Sequence, residues 1–133
     1  MRQIFLSLCA ALFLCGPARA DEAAIRSVIS SQIAAFQVDD FTTAFSYASP
    51  TIRQVFGTPE NFGVMVRKGY PMVWRPAEMN FLSIETVDGL LWQNVMIRDQ
   101  DGALHILEYQ MTRLVDGWKI NAVRIRKAVE GAA

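Results

Sequence analysis

The residues best suited to acid–base work are His105, the only histidine of the 133-residue chain, and Tyr109 four positions later. Side chains on an extended strand repeat every second residue, so these two share a face. An imidazole beside a phenol can serve as base and hydrogen-bond donor. Glu108 falls on the opposite face, which leaves the pair without an evident carboxylate partner. A single histidine near a strand end is more often a surface or core-edge residue than a catalytic one. Asp39-Asp40 offers two adjacent carboxylates, and a buried one would titrate high and act as a base. The same two residues fit a turn and a helix N-cap. Asp99, Asp101, Gly102 and Glu108 overlap part of a calcium-binding loop, but Ile97 stands at the first ligand position and strand signals flank the run. A hairpin turn explains it better, and neither a metal nor a cofactor is expected.

A second set of residues suits binding. Tyr47, Tyr70, Trp74, Trp92, Tyr109 and Met111 have the composition of a small-molecule pocket, apolar bodies with polar tips. They would equally serve as core. Arg75 beside Trp74 could stack on it, meet an anion or stay solvated. Arg113, Lys119, Arg124, Arg126 and Lys127 make the C-terminal end basic. That fits an anion site less well than charge guarding a sheet against edge-to-edge pairing.

Stepping along the chain, Met1 to Ala20 differs from the rest. Arg2 is followed by an almost wholly apolar run from Ile4 to Leu14, then by Ala18-Arg19-Ala20. This predicts a secretory leader cleaved after Ala20, with Asp21 to Ala133 as a single domain. The apolar run is too short for a membrane anchor, and leucine directly before Cys9 and Cys15 fits lipidation poorly. Both cysteines would leave with the leader, so the remaining domain could form no disulfide and hold no metal through sulfur. The leader carries two arginines and no acid. The remaining 113 residues therefore hold eleven Lys and Arg against thirteen Asp and Glu, a net charge of −2. Nothing in that balance draws the chain to nucleic acid or anionic lipid. The expected place is the periplasm or the exterior, with no stable membrane anchor after cleavage.

The elements that must position these residues follow from spacing. Ile25, Val28, Ile29, Ile33 and Phe36 predict a helix from Asp21 to about Gln37. Phe41, Ala44, Phe45 and Ala48 predict a second. Ser49-Pro50 and Thr58-Pro59 each place a capping hydroxyl before a proline at the first helical position, starting helices that stop at Gly57 and Gly69. Met72-Val73-Trp74 reads as a short extended segment. Strands are predicted over Asn80–Val87, with Leu82 and Ile84 on one face, over Leu90–Arg98, over His105–Leu114 and in a last strand after Asp116-Gly117. Asp88-Gly89, Asp101-Gly102 and Asp116-Gly117 mark the turns. The row His105, Leu107, Tyr109, Met111 and Arg113 is the more apolar and should face the helices. A bulge near Asn121-Ala122 would bring Trp118, Ile120, Val123 and Ile125 to one side.

Phe36 with Asp39-Asp40, Ala48-Ser49-Pro50, Phe56-Gly57-Thr58-Pro59-Glu60, Gly69-Tyr70-Pro71, Arg75-Pro76, Tyr109 and Asp116-Gly117-Trp118-Lys119-Ile120 carry a resemblance over nearly the whole domain. The chain resembles an uncharacterised bacterial family of exported domains within the nuclear transport factor and SnoaL-like superfamily. The resemblance implies an α+β fold in which N-terminal helices pack on a curved, mostly antiparallel sheet, forming a cone. It leaves function open, because that superfamily holds isomerases, dehydratases, epoxide hydrolases, ligand binders and subunits without chemistry. A homodimer through the sheet is implied by the same analogy. The leading expectation is a non-catalytic module that binds a small apolar ligand in the cone or a protein partner on the sheet. The alternative is an isomerase, lyase or hydrolase using His105, Tyr109 and Asp40, and a structural subunit would leave the cone filled.

Overall fold

The structure, a computed structural model, describes residues 17–126. The expected leader falls outside them up to residue 16, and so does Lys127. Five helices precede four strands: α1 (Pro17–Gln37), α2 (Phe41–Ser46), α3 (Pro50–Phe56), α4 (Pro59–Gly69), α5 (Pro71–Trp74), β1 (Glu78–Val87), β2 (Leu90–Arg98), β3 (Leu104–Leu114) and β4 (Gly117–Arg126). The strands form one open antiparallel sheet in the order β1-β2-β3-β4, and the helices cover one of its faces. The molecule is thus α+β, with N-terminal helices on an antiparallel sheet.

The helices begin and end where local chemistry directs. Thr58 and Ser49 each accept a backbone N–H at the start of α4 and α3, from Asn61 and Ile52, with proline at the first helical position of both. Glu60 lies in the first turn of α4 and Arg67 and Lys68 in its last, as the helix dipole favours. α1 starts at Pro17 rather than at Asp21, so it runs across the expected leader junction. It ends on Asp39, which takes the left-handed conformation at φ 55° and lets Asp40 N–H reach Ala35 O at 2.9 Å. Between α2 and α4 the approach is close. A Cβ built on Gly63 would lie 2.8 Å from the Phe41 ring, so a larger residue fits only if that ring shifts.

Residues 71–74 form a helical turn, not the extended segment expected. The Tyr70 carbonyl accepts both Val73 N–H and Trp74 N–H, and this turns Met72 and Val73 inward. The apolar run was too short for its period to distinguish a strand from one turn of helix.

The sheet carries two irregularities. On β4, Ala122 pairs with Gln110 and Ile120 with Met111, so Asn121 is the extra residue of a bulge. Trp118, Ile120, Val123 and Ile125 then stand opposite Arg113, Met111, Tyr109 and Leu107 on the helix-facing side, as expected. On β1, Phe81 pairs with Val95 and Ile84 with Gln93, and the extra residue between them breaks the alternation. Ile84 therefore shares the inner face with Phe81, while Leu82 in the irregularity is exposed, which corrects the expected pairing of Leu82 with Ile84. The core lies between α1 and the middle of the sheet, where Ile25, Ile29, Phe36, Val95, Ile97, Leu107 and Tyr109 are fully buried.

Candidate functional site

Against the β3–β4 half of the sheet the helices leave a cavity of about 260 Å³. α1 contributes Gln32 and Phe36 to its wall, the end of α2 and α3 contribute Ala48, Ile52 and Phe56, and α4 contributes Phe62, Met65 and Val66. Tyr70 and Val73 close it at the α4–α5 junction, and Tyr109, Ile120, Ala122 and Val123 form the sheet side. Phe36, Phe62, Val66 and Tyr109 are buried. Ile52, Phe56, Met65 and Tyr70 are only partly so, and they make the rim.

Tyr109 gives this cavity its chemistry. It sits mid-strand in the inward-facing row, is fully buried, and its hydroxyl has no hydrogen-bond partner among the described residues. Such an orphan costs about 1–3 kcal/mol relative to a bonded one, so buried hydroxyls are nearly always bonded. Burial pushes the phenol well above its ordinary value, and the neighbouring Tyr70 pushes it further. It therefore stays a neutral donor and cannot act as a phenolate base at ordinary pH. Tyr70 itself donates to the Val123 carbonyl at 3.1 Å, and Gln32 donates through Nε2 to the Ala44 carbonyl at 3.1 Å.

The other orphan atom among the described residues is Oε1 of Gln93, which pairs directly with Tyr109 across β2 and β3. The two do not bond each other. The Gln93 carboxamide is turned back into its own sheet edge, where Nε2 donates to the carbonyls of Leu82 at 2.9 Å and Asn94 at 2.8 Å.

The candidate acid–base residues do not converge. His105 lies four residues along β3 from Tyr109, roughly 13 Å at strand rise, and is not part of the cavity wall. Its Nε2 meets Asp99 Oδ2 at 2.8 Å. The carboxylate partner that the strand face lacked thus comes from the β2–β3 turn. Asp99 is otherwise committed to that turn, since Oδ1 accepts the N–H groups of Asp101 and Ala103, both at 2.9 Å. The His105 bond, followed by the turn N–H groups, holds its carboxyl below the usual carboxylate range. Asp99 and Asp101 therefore build a hairpin turn. No group of three or more His, Cys, Asp or Glu among the described residues is placed to hold a metal.

Asp39 and Asp40 are both exposed and both shifted down, the reverse of the raised value a buried base would need. Asp40 caps α2, accepting Thr43 N–H at 3.1 Å and Thr43 Oγ1–H at 2.7 Å, and those bonds favour its ionised form. Asp39 accepts Trp74 Nε1–H and Arg75 Nη2–H, each at 2.9 Å, and these two donors lower its value in that order. Arg75 stacks over the Trp74 ring at 4.1 Å and also donates to the Phe36 carbonyl at 2.6 Å. The cluster ties the end of α1 to α5, and Arg75 is spent on it.

Of the aromatic set, Tyr70 and Tyr109 line the cavity. Tyr47 lies outside it, in a shallow groove with Asp21, Arg113 and Trp118. Trp74 is held by Asp39, and Met111 is buried opposite Ile120 without reaching the cavity. Trp92 lies on the opposite face of the sheet, beneath the Arg124 guanidinium at 3.8 Å. The basic residues of that end are engaged with acids of the chain: Arg124 and Arg126 with Glu108, Arg113 with Asp21, and Lys119 with Asp116. Sequence reasoning passed over the helical half of the wall, including Gln32, Phe56 and Met65. The apolar spacing of Phe56 and Met65 reads only as core, and Gln32 as a polar residue on the α1 stripe carries no binding signal.

A family model matches residues 18–133, and its description is Domain of unknown function (DUF4864). The chain belongs to that family. No curated protein and no solved structure matches it. No helix among the described residues of this DUF4864 domain is long and apolar enough to cross a membrane.

Proposed function

We propose that this DUF4864 domain is an exported, non-catalytic module of the nuclear transport factor and SnoaL-like cone type that binds a small, largely apolar ligand between its helices and its sheet. The observation that carries the reading is Tyr109, fully buried in the wall of a largely apolar cavity with no hydrogen-bond partner for its hydroxyl among the described residues. A domain selected only for stability would place phenylalanine there and avoid the desolvation cost. Catalysis is disfavoured because no charged side chain lines the cavity and because His105 and Asp40 are each committed elsewhere.

The test combines export and binding. The full chain is produced in an exporting bacterial host and the recovered protein weighed by native mass spectrometry, before and after denaturation. The expected result is a mass beginning at Asp21 and a small adduct that leaves on denaturation. A parallel NMR titration with 2-phenylbut-1-ene should move the resonances of Val66, Ile120 and Val123 in the wild type but not in Met65→Trp, whose indole closes the rim. Absence of both adduct and shifts overturns the binding reading, and retention of residues 1–20 overturns the export reading.

A further inference from the structure

The deep walls of the cavity are closed off in this structure. Phe36, Phe62, Val66, Tyr109 and Ile120 are each 5 % exposed or less, so water itself scarcely reaches them. A ring compound is wider than a water molecule. It reaches these walls only if part of the enclosure moves.

The parts of the enclosure differ in how firmly they are held. α1, α4, α5, β3 and β4 each bury apolar residues in the core, and α3 buries none. Its two half-buried residues, Ile52 and Phe56, both line the cavity, so the apolar side of this helix rests partly on open space. The other five residues of α3 are exposed, Val55 among them at 69 %. The side chains of Thr51, Arg53 and Gln54 bond no other described residue, and the bonds that tie α3 to the rest of the chain gather at its ends. Segments with few buried apolar contacts are the first to open.

The two ends of α3 are built differently. At the first, Ser49 is buried and pinned to the β4 bulge. Its N–H donates to the Ile120 carbonyl and its hydroxyl to Asn121 Oδ1, both at 2.8 Å. At the second, Gly57 takes φ 79° with open space where a side chain would stand, so backbone freedom and not crowding requires the glycine. Positions at element ends that absorb a change of φ and ψ are where hinges form. The helix is tied to α4 by one exposed bond, from Asn61 Nδ2–H to the Phe56 carbonyl at 3.0 Å, and by the edge-on contact of the Phe56 and Phe62 rings at 5.7 Å.

We infer that α3 is the lid of the cavity, pivoting at Ser49 and hinged at Gly57, and that a ligand passes beneath it when the Asn61 bond opens and Phe56 parts from Phe62. The inference rests on the binding reading for its purpose and goes beyond it by naming the route to the site and the residues that control it. The ligand is held by the closed form. A change in how readily α3 opens therefore alters entry and exit together and leaves the affinity nearly as it was.

The experiment measures rates. Entry and exit of 2-phenylbut-1-ene are read by NMR relaxation dispersion at Val66, Ile120 and Val123 in the wild-type chain and in three variants. Gly57→Ala places a side chain where φ is positive without a clash, which disfavours the closed backbone. Both rates should rise about tenfold with the affinity within about twofold. Asn61→Ala removes the tie to α4 and should raise both about fivefold. Gly89→Ala is the matched control, since Gly89 also has a positive φ of 77° and open surroundings but lies in the β1–β2 turn, and it should leave both rates unchanged. A second readout needs no ligand: Val66→Cys puts a thiol in the deep wall, and its labelling by methyl methanethiosulfonate, located by peptide mass spectrometry, should be about tenfold faster when Gly57→Ala is added.

Three outcomes would overturn the inference. If the probe binds and neither Gly57→Ala nor Asn61→Ala changes its rates, α3 is a fixed wall and the binding reading survives alone. If Gly89→Ala speeds exchange as much as Gly57→Ala does, entry follows general unfolding. If Gly57→Ala raises the exit rate alone and weakens affinity in step, α3 only touches the ligand. Should the probe bind no variant, the binding reading falls, and the labelling rates decide by themselves whether α3 opens: equal rates with and without Gly57→Ala refute the lid, and a faster rate with it supports the motion.

Discussion

The two ends of β3 present opposite solutions to the same problem, a polar side chain in the inward-facing row of a sheet. At one end His105 is satisfied: Asp99 reaches it from the turn, and the remaining carboxylate oxygen is filled by two backbone N–H groups. Toward the middle Tyr109 is deeper, and nothing among the described residues reaches its hydroxyl. The difference shows that residue type is a poor guide to where a fold can receive a ligand. Histidine has the richer chemistry, yet its Nε2 is engaged with Asp99 in holding a hairpin. The tyrosine, chemically plainer, lies in the cavity wall with a donor that has no partner among the described residues.

The largest test of that contrast is Tyr109→Ala. Removing a fully buried ring beside an existing cavity should cost about 3–5 kcal/mol in chemical denaturation, as other large aromatic truncations do. A smaller effect would mean that the helices collapse onto the space, and that the cavity is not a fixed feature of the fold.

Gly63→Ala is expected next, at about 1–3 kcal/mol, because its new methyl meets the Phe41 ring at 2.8 Å. This probes the packed side of the helical layer as Tyr109 probes the open side. If both sides respond alike to added or removed volume, the layer is uniformly loose and the comparison fails.

Tyr109→Phe has the opposite sign. With no ligand present it should leave stability unchanged or raise it by about 1 kcal/mol, since it deletes a buried hydroxyl that has no partner. A clear loss of stability would show that the hydroxyl is bonded, and would bring the two ends of β3 together.

The smallest effect concerns pH. The Asp99 carboxyl is lowered from 3.8 by its bonds in the turn, so it favours the folded state above the unfolded value and loses that contribution as pH falls below 3.8 through its folded value. Asp99→Asn should therefore flatten the acid limb of the stability curve in that window, although Asp39 and Asp40 keep part of the slope. An unchanged acid limb would mean that the His105 end contributes nothing to folding.

Much of this was legible in the chain itself, wherever a local rule applied. Ser49-Pro50 and Thr58-Pro59 announce helix starts because capping and proline geometry act over three residues. The aspartate–glycine pairs announce turns for the same reason: Asp88 and Gly89 take φ of 53° and 77°, and Gly102 takes 87°. The bulge at Asn121 followed from an apolar alternation that slips by one. Where signals were short or long-range, reading failed. Met72-Val73-Trp74 is too short to show a period. Trp92 faces away from the helices because its partner Gln110 belongs to the polar row, and the aromatic set joined residues whose faces had not been compared.

The sequence alone determined the element order, the antiparallel meander and the inward row of β3, because backbone sterics, capping and side-chain alternation are settled within a few residues. Tertiary structure decided the rest. It brought Asp39 to Trp74 and Arg75 across 35 and 36 residues, gave Asp99 to His105, and left Tyr109 without a partner beside a cavity walled by four helices. A hydrogen bond is a matter of ångströms between atoms, and which atoms come within that distance is fixed only when the layers pack. The same holds for its absence.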